Sequence, residues 1–190
     1  NHAQGVALGA SAMGIKSLIC LPEGAPISKV EATRRLGAEV CLVPGVYDDA
    51  YQKALQLRDE FGYTFIHPFD DENVIAGQGT IAMEILRQLQ SLGSNQLNAV
   101  FVAIGGGGLV SGVANYIKAV RPEVKIIGVQ MNDSDAMIQS VKAHERVTLP
   151  DVGLFSDGTA VKLVGAETFK LTRKYVDDFR YFFNYFNFTI

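Results

Sequence analysis

Short runs of apolar residues without regular polar alternation recur along the chain, and they predict five β-strands. These are SLICL (17–21), EVCLV (39–43), TFIHP (64–68), NAVFVAI (98–104) and KIIGVQ (125–130). Strands of a parallel sheet that is covered on both faces show this continuous pattern, whereas half-exposed strands alternate apolar and polar positions. We therefore expect these strands to be parallel and buried.

Segments with apolar residues at helical spacing separate the predicted strands. Three stripes are present: Ala50, Ala54, Leu57 and Phe61; Ile81, Ile85, Leu89 and Leu92; and Val110, Val113, Ala114 and Ile117. Repeated β-α order with short connections predicts an α/β fold that is doubly wound, with mostly parallel sheets. Glycines between Asp71 and Gly79 interrupt the alternation of predicted strands and helices. We therefore expect two lobes, over residues 1–74 and 75–178.

The last ten residues, YFFNYFNFTI, do not fit this pattern. They hold six of the 18 aromatic residues of the chain and no charged residue. A buried strand or helix end is one explanation; loss of the natural sequence, through a frameshift or an unspliced intron, is the one that we favour. We therefore interpret residues 179–190 as an aberrant aromatic tail. Uncharged, β-prone segments of this kind promote aggregation.

Composition and charge limit the classes of protein to which this chain could belong. The chain has 190 residues, 48% hydrophobic, with 17 basic and 20 acidic residues and a net charge of −3. This composition is typical of a globular protein, lacks the basic excess of a nucleic-acid-binding protein and contains no long apolar span for a membrane. Cys20 and Cys41 lie in separate predicted strands and are expected to be reduced core thiols. Since the sequence starts at Asn1 without an initiator Met, we expect a fragment that is incomplete at both ends.

Four consecutive glycines, Gly105, Gly106, Gly107 and Gly108, lie between a predicted strand and a helix that is expected to begin near Leu109. The free N–H groups of such a loop and of the first helical turn converge on one point, where the helix dipole favours an anion. Glycines also allow the backbone to approach a phosphate closely. A tight turn alone needs one glycine, so four favour a phosphate-binding loop.

The neighbouring residues limit which phosphate this loop could bind. A Walker A loop is excluded, because no lysine follows the glycines until Lys118. The dinucleotide fingerprint also fails, because Val110 and Ser111 stand where its third glycine is required, and Gln130 replaces the ribose-binding acid. A phosphate monoester on a small cofactor fits better, and a nicotinamide-dependent dehydrogenase is the weaker alternative.

The N-terminal segment NHAQG precedes a helix that is rich in small residues. Asn1 stands at a position where it could cap this helix, and on this stretch alone we favour that capping role. We assign no chemistry to His2.

Four segments together, NHAQG, PFDDENVIAGQGT, GGGGL and GLFSDGTAV, resemble the fold-type II pyridoxal-phosphate enzymes. The resemblance runs from Asn1 to about Asp178 and is strongest to biosynthetic, plant-like threonine dehydratases (threonine ammonia-lyases), with serine racemases as near relatives. It implies a tryptophan synthase β-like fold, in which the first lobe is the smaller, mobile one and the second binds pyridoxal 5'-phosphate.

Site residues follow from the same resemblance. Asn1 matches the asparagine that hydrogen-bonds the phenolic oxygen of the cofactor. The loop Gly105–Gly108 with Leu109 matches the phosphate cradle, and Gly158 falls in a segment that passes near the cofactor ring. We also expect that Gly107→Asp removes cofactor binding and leaves the fold largely intact.

Several parts of the family pattern are missing from this chain. The Schiff-base lysine lies upstream of the asparagine motif in the family, and none of the lysines present stands in its context, so no catalytic residue is assigned. The serine that faces the pyridine nitrogen is also absent. Some relatives bind a metal through an acid near Gln130; we predict no metal, with Asp133 and Asp135 as solvated loop carboxylates.

The resemblance implies deamination of threonine by α,β-elimination to 2-oxobutanoate and ammonia, the first step of isoleucine biosynthesis. Serine is an alternative substrate, and the alternatives for function are a serine racemase-like or serine dehydratase-like enzyme, or a non-catalytic truncated product that binds a ligand or partner. We expect a homo-oligomer for the full-length enzyme, located in the chloroplast of a plant or otherwise in the cytoplasm, and no activity from this chain alone.

Overall fold

The computed structural model describes residues 1–153 and 155–183, and these form two compact units. The first unit spans Asn1–Ile66, and the second begins at His67. Each unit contains helices and a parallel sheet, so the predicted α/β class is confirmed. The division falls at Ile66 rather than at the predicted Val74.

The first unit alternates helices and strands. Its elements are α1 (His2–Ala12), β1 (Leu18–Pro22), α2 (Ile27–Arg35), β2 (Glu39–Val43) and α3 (Tyr47–Phe61). Strands β1 and β2 are parallel, with Leu18 opposite Glu39. Cys20 lies opposite Cys41, and both thiols are free, but they are half-buried and not in the core as predicted. Burial, together with the neighbouring Cys41 thiol, raises the pKa of Cys20 to about 11.

The stretch 64–68, predicted to be a strand, is not one of the strands in the described part of the chain. Its Ile66 carbonyl accepts a hydrogen bond from the His2 ring nitrogen Nε2 at 3.0 Å, not from a neighbouring strand. Pro68 has no amide hydrogen to donate. His67 Nδ1 then accepts from the amides of Phe69 (3.2 Å) and Asp70 (2.8 Å), which turns the chain toward the next helix.

The second unit is built on a three-stranded parallel sheet with the order β3-β4-β5. Its elements are α4 (Glu72–Ser91), β3 (Ala99–Ala103), α5 (Gly108–Val120), β4 (Lys125–Met131), α6 (Ala136–Ala143), a 3₁₀ turn (Asp157–Thr159), α7 (Ala166–Tyr175) and β5 (Asp178–Phe182). The core between the sheet and the helices includes Ile104, Val110, Ile117, Ile126 and Met137, all at most 1% exposed. This core holds the loop that joins β3 to α5.

Helix α4 is confirmed, but its buried face differs from the predicted stripe. Ile81 is 43% exposed and Leu92 80% exposed, whereas Gly79 and Ala82 are buried. The reason is a close crossing with α5, since a Cβ on Gly112 would lie only 2.6 Å from the Gly79 amide nitrogen. Two glycines at the crossing allow the helix backbones to approach, which turns a different face of α4 inward.

The interpretation of residues 179–190 as an aberrant tail is wrong for its first part. Residues 178–182 form β5, which pairs in parallel with β4, with Ile127 opposite Asp178 and Met131 opposite Phe182. A strand can pair through its backbone whatever its side-chain pattern is. The search for apolar runs therefore did not identify this aromatic segment as a strand. Residues 184–190, where the natural sequence was predicted to be lost, lie outside the described residues.

Within the described part of the chain, none of the helices combines the length and apolar character needed to cross a membrane.

Candidate cofactor site

The glycine loop follows β3 at the carboxyl end of the parallel sheet, the edge where ligands bind in open α/β folds. Ile104 extends the strand pairing, because its amide donates to the Val129 carbonyl at 2.8 Å. Gly107 then occupies the N-cap position of α5 with φ +100° and ψ −2°, a conformation that favours glycine. The first helical hydrogen bond of α5 runs from the Ser111 amide to the Gly107 carbonyl at 3.0 Å.

The backbone amides from Gly105 to Val110 have no hydrogen-bond acceptor among the described residues. Gly106, Gly107, Gly108 and Val110 are nevertheless buried. Buried amides without an acceptor are rare in proteins, and the dipole of α5 makes the potential at this end positive. A set of amide donors at a helix N-terminus fits a phosphate group. The residues present therefore fit the phosphate of the predicted cofactor.

Protein atoms, not open space for a ligand, surround the Cβ positions of the four glycines. A Cβ on Gly106 would overlap the Phe69 ring, and one on Gly108 would lie 3.0 Å from Phe69 Cβ. A Cβ on Gly105 would lie 3.1 Å from Thr159 Cα. The direction in which each side chain would project is therefore filled by the protein itself, which corrects the predicted reason for the glycines.

The part of the Gly107→Asp expectation that leaves the fold largely intact is wrong for the same reason. A Cβ on Gly107 would lie 2.7 Å from Met137 Cε and 2.8 Å from Thr168 Cβ, at a backbone φ of +100°. Any side chain at this position strains the backbone and displaces buried neighbours. This substitution would damage the fold, so it cannot isolate an effect on phosphate binding.

The carbonyl groups of the loop are held by donors from two other elements. The Gly106 carbonyl accepts from the Thr168 hydroxyl at 2.7 Å and from the Gly165 amide at 3.3 Å. The Ile104 carbonyl accepts from Gln130 Nε2 at 3.4 Å. Gln130 is 2% exposed, and its Oε1 accepts from the Ile138 amide at 2.9 Å. Gln130 therefore supports the loop, a role that the sequence did not predict.

Two adjacent carboxylates after Pro68 cap different helices. Asp71 is the N-cap of α4, where its Oδ1 accepts from the amides of Asn73 (2.8 Å) and Val74 (3.0 Å). Asp70 instead accepts from the first amides of α7, including that of Ala166 at 2.8 Å. An N-cap aspartate before an apolar helical segment is visible in a sequence. The role of Asp70 is not, because its partners lie 96 to 98 residues further along the chain.

Gly158 lies beside the glycine loop, in the 3₁₀ turn Asp157–Thr159. The Gly158 carbonyl oxygen is 3.6 Å from the position of a Cβ on Gly105. The position of a Cβ on Gly158 itself has no heavy atom of the described chain within 4 Å. The structure thus brings together the predicted site residues Gly158 and Gly105–Leu109, which all belong to the second unit.

Asn1 belongs to the first unit and is exposed. It occupies the predicted N-cap position of α1, where its carbonyl accepts from the Gly5 amide at 2.9 Å, but its side chain makes no capping hydrogen bond. The adjacent His2 ring is bonded to the Ile66 carbonyl, and burial lowers its pKa although this hydrogen bond opposes the shift.

Asp133 and Asp135 have different environments. Asp133 is exposed, as predicted, but Asp135 is 8% exposed and therefore not a solvated loop carboxylate. Its carboxylate accepts from Gln139 Nε2 at 2.7 Å and from the Tyr181 hydroxyl at 3.1 Å. Strand β5, which the sequence did not predict, supplies the second donor. Across the described ranges, no three or more His, Cys, Asp or Glu side chains are grouped as metal ligands.

Comparison with known proteins identifies the class to which this fold and site belong. The family described as "Pyridoxal-phosphate dependent enzyme" matches residues 1–182. The chain therefore belongs to the pyridoxal-phosphate dependent enzyme family.

Its similar curated relatives are threonine dehydratases. The chain is 58% identical over 180 residues to the biosynthetic L-threonine dehydratase of Burkholderia multivorans, covering 93% of this chain and 35% of that protein. It is 51% identical to the chloroplastic biosynthetic threonine dehydratase of Arabidopsis thaliana, covering 93% of this chain and 29% of that protein. The chain thus spans about a third of the length of these relatives.

Solved structures agree with this assignment of the fold. The processed form of threonine deaminase isoform 2 from Solanum lycopersicum superposes with a TM-score of 0.89 at 42% identity, covering 96% of this chain and 52% of that one. Maize serine racemase superposes with a TM-score of 0.88 at 32% identity, covering 96% of this chain and 54% of that one. The predicted fold-type II architecture is confirmed by these matches.

Proposed function

We propose that this chain supplies the phosphate-binding part of a pyridoxal-phosphate dependent ammonia-lyase that converts L-threonine to 2-oxobutanoate and ammonia. One observation carries the proposal: the amides from Gly105 to Val110 have no acceptor among the described residues, at the carboxyl end of β3. The names of the relatives at 51% and 58% identity support threonine as the substrate.

The residues of this chain would bind and orient the cofactor. The amides of Gly105–Gly108 and Leu109 would donate to the phosphate oxygens, and the positive end of α5 would stabilise their charge. By the family resemblance, Asn1 would hydrogen-bond the phenolic oxygen, and Gly158 would lie near the ring. When bound, pyridoxal 5'-phosphate supplies an electron sink for loss of the substrate Cα proton and of the β-hydroxyl.

We assign no proton-transfer residue within this chain. Lys118 is the first lysine after the glycine loop, but it lies in the last turn of α5, at the opposite end of the helix from the loop. Its ammonium group donates to the Asp177 carboxylate at 2.9 Å and to the Val124 carbonyl at 2.9 Å. Lys118 therefore holds strands together and is not a candidate base for the reaction.

Serine racemization is the second candidate activity, because maize serine racemase superposes almost as well as the tomato threonine deaminase. The identity to the racemase is 32%, against 42% to the tomato enzyme. This difference favours the threonine-directed reaction. Product analysis separates the two: 2-oxobutanoate from threonine supports the lyase, and D-serine from L-serine supports the racemase.

The phosphate site is tested by Gly158→Asp. The Cβ position of Gly158 has no described heavy atom within 4 Å, and the Gly158 carbonyl oxygen lies 3.6 Å from the Cβ position of Gly105, so a side chain can begin here close to the loop. We expect Gly158→Asp to weaken binding of pyridoxal 5'-phosphate by about 10-fold or more, because the carboxylate repels the phosphate. Binding is measured by absorbance titration of the 190-residue chain.

Two controls make this experiment specific. Gly158→Asn has the same size without the charge and should bind the cofactor nearly as the unaltered chain does. Pyridoxal, which lacks the phosphate, reports any effect of these substitutions on the ring, and Gly158→Asp should lower its affinity much less than that of pyridoxal 5'-phosphate. If the unaltered chain does not prefer pyridoxal 5'-phosphate to pyridoxal, or if Gly158→Asp retains that preference, the loop is not the phosphate site.

A further inference from the structure

Helix α7 begins on a carboxylate that is distant in sequence. Asp70 accepts hydrogen bonds from the amides of Ala166 (2.8 Å), Glu167 (2.9 Å) and Thr168 (3.2 Å). The helix's own N-cap residue is Gly165, which has no side chain with which to cap these amides. Asp70 thus caps the N-terminus of α7, although it lies outside that helix.

Because Gly165 has no side chain, the Asp70 carboxylate can occupy the space beside it. A Cβ on Gly165 would overlap the Asp70 carboxylate and would lie 2.7 Å from Asp70 Cβ. The same segment of chain also rests on the glycine loop, since a Cβ on Gly106 would overlap the Phe69 ring. Residues 69 and 70 therefore pack against glycines of both α7 and the loop.

The first turn of α7 in turn holds the glycine loop. The Thr168 hydroxyl and the Gly165 amide both donate to the Gly106 carbonyl. In addition, Ser111 Oγ donates to the Thr168 carbonyl at 3.2 Å, which joins α5 to the same turn. These bonds are buried at Thr168 and Ser111, both 0% exposed.

The Gly106 carbonyl and the Gly107 amide belong to the same peptide group, which is planar. Fixing the direction of the carbonyl therefore fixes the direction of the Gly107 N–H. That N–H is one of the buried donors without an acceptor among the described residues. A hydrogen bond to the Gly106 oxygen consequently sets where one phosphate donor points.

We propose that Asp70 and Thr168 are positioning residues for phosphate binding, a pair that we call the Asp70–Thr168 clamp. Asp70 holds the first turn of α7, and Thr168 holds the Gly106 carbonyl, so that the Gly107 amide stays directed at the phosphate. This inference rests on the proposed function, because it assigns the clamp to the phosphate site of that cofactor.

Substitution of Thr168 tests the clamp, and Thr172 on the same helix provides a matched control. Both side chains are fully buried, but the Thr172 hydroxyl has no hydrogen-bond partner among the described residues. We expect Thr168→Val to weaken pyridoxal 5'-phosphate binding by roughly 3- to 10-fold, the effect of one hydrogen bond, and pyridoxal binding not at all. Thr172→Val should leave both affinities unchanged, and Thr168→Ser should restore the phosphate preference.

Asp70 and Asp71 provide a second matched pair. Both are helix-capping carboxylates in the same segment, but only Asp70 caps the helix that holds the loop. We expect Asp70→Ala to lower the phosphate preference severalfold, because alanine has no oxygen to accept these hydrogen bonds. Asp71→Ala should lower the melting temperature through α4 without changing that preference. If the ratio of the affinities for pyridoxal 5'-phosphate and pyridoxal is the same in both variants, the clamp is contradicted.

Hydrogen exchange of the ligand-free chain separates failure of the clamp from failure of the proposed function. We expect faster exchange in peptides covering residues 111–117, the part of α5 whose hydrogen bonds begin with that of the Ser111 amide to the Gly107 carbonyl, for Thr168→Val than for Thr172→Val. No phosphate preference in the unaltered chain would refute the proposed function, and the exchange comparison would then still decide whether Thr168 holds the loop. Equal exchange and equal affinities in the two valine variants would overturn the clamp.

Discussion

Gly107 shows how one residue can be constrained by both its backbone and its surroundings. Its φ is +100°, and a Cβ there would lie within 3 Å of Met137 and Thr168. Gly93 also has a positive φ, +72°, but no described atom lies within 4 Å of its Cβ position. Comparing substitutions at these two glycines therefore separates the free-energy cost of backbone strain from the free-energy cost of displacing neighbouring atoms.

We predict that Gly107→Ala destabilises the chain by about 2–5 kcal/mol and Gly93→Ala by about 1–2 kcal/mol. The larger effect adds overpacking to the cost of a left-handed alanine. Urea unfolding followed by circular dichroism measures both, with the unaltered chain as reference. Equal losses in the two variants would mean that the loop relaxes around Cβ and that packing does not require this glycine.

At the scale of the elements, Asp177 fastens β5 to its neighbours. Its carboxylate accepts from the Ile126 amide at 2.6 Å and pairs with Lys118 Nζ at 2.8 Å. Burial alone would raise the pKa of Asp177, but the hydrogen bonds from Lys118 and from the Ile126 amide lower it below its ordinary value. The start of β5 is thus linked to α5 and β4 by one ionised group.

The lowered pKa of Asp177 predicts how stability changes with pH. Its contribution is fully present above the ordinary value of 3.8 and is lost as the pH falls through the lower value of the folded state. Asp177→Asn should therefore destabilise the chain near neutral pH, and the difference from the unaltered chain should shrink in acid. Denaturant midpoints measured across this range provide the test.

The control is Asp151, whose ion pair with Lys162 is long, 3.7 Å, and whose side chain is 97% exposed. Asp151→Asn should change the midpoint little at any pH. A constant difference between Asp177→Asn and the unaltered chain, from neutral pH into acid, would show that ionisation of Asp177 does not stabilise β5.

At the scale of the whole molecule, large apolar side chains are exposed on both edge strands of the second sheet, as far as the structure describes it. Within the described residues this sheet ends at β3 and β5. Phe101 on β3 is 67% exposed, and Phe182 on β5 is 58% exposed. Exposed edge strands with large apolar side chains favour pairing with other chains.

We predict that the purified chain self-associates and that Phe101→Lys reduces this association. A lysine on an edge strand disfavours edge-to-edge pairing. Size-exclusion chromatography with light scattering at several concentrations measures the effect. Leu92→Lys, at a position that is 80% exposed and outside the sheets, is the control for a general effect of charge. A monodisperse monomer, or equal association of both variants and the unaltered chain, would contradict the prediction.

Local sequence patterns were sufficient for the elements whose stability depends on neighbours in the chain. The apolar runs predicted β1 to β4 within two residues, and the β-α order predicted parallel pairing. The strand predicted at 64–68 is not among the strands of the described residues, where Pro68 has no amide hydrogen to donate and the Ile66 carbonyl accepts from His2. Strand β5 was missed because its pairing with β4 does not depend on a local apolar pattern.

The sequence by itself determined the α/β class, the glycine loop and its place at the end of a strand, because turn chemistry and helix starts are local properties. Only the tertiary structure decided what holds that loop. Asp70 and Thr168 act on residues 96 and 62 positions away, and no periodicity links positions so far apart. The tertiary structure also decided that packing against Phe69, rather than space for a ligand, makes Gly106 necessary. A distant residue excludes a side chain only once the chain has folded. A local sequence pattern therefore cannot reveal this constraint.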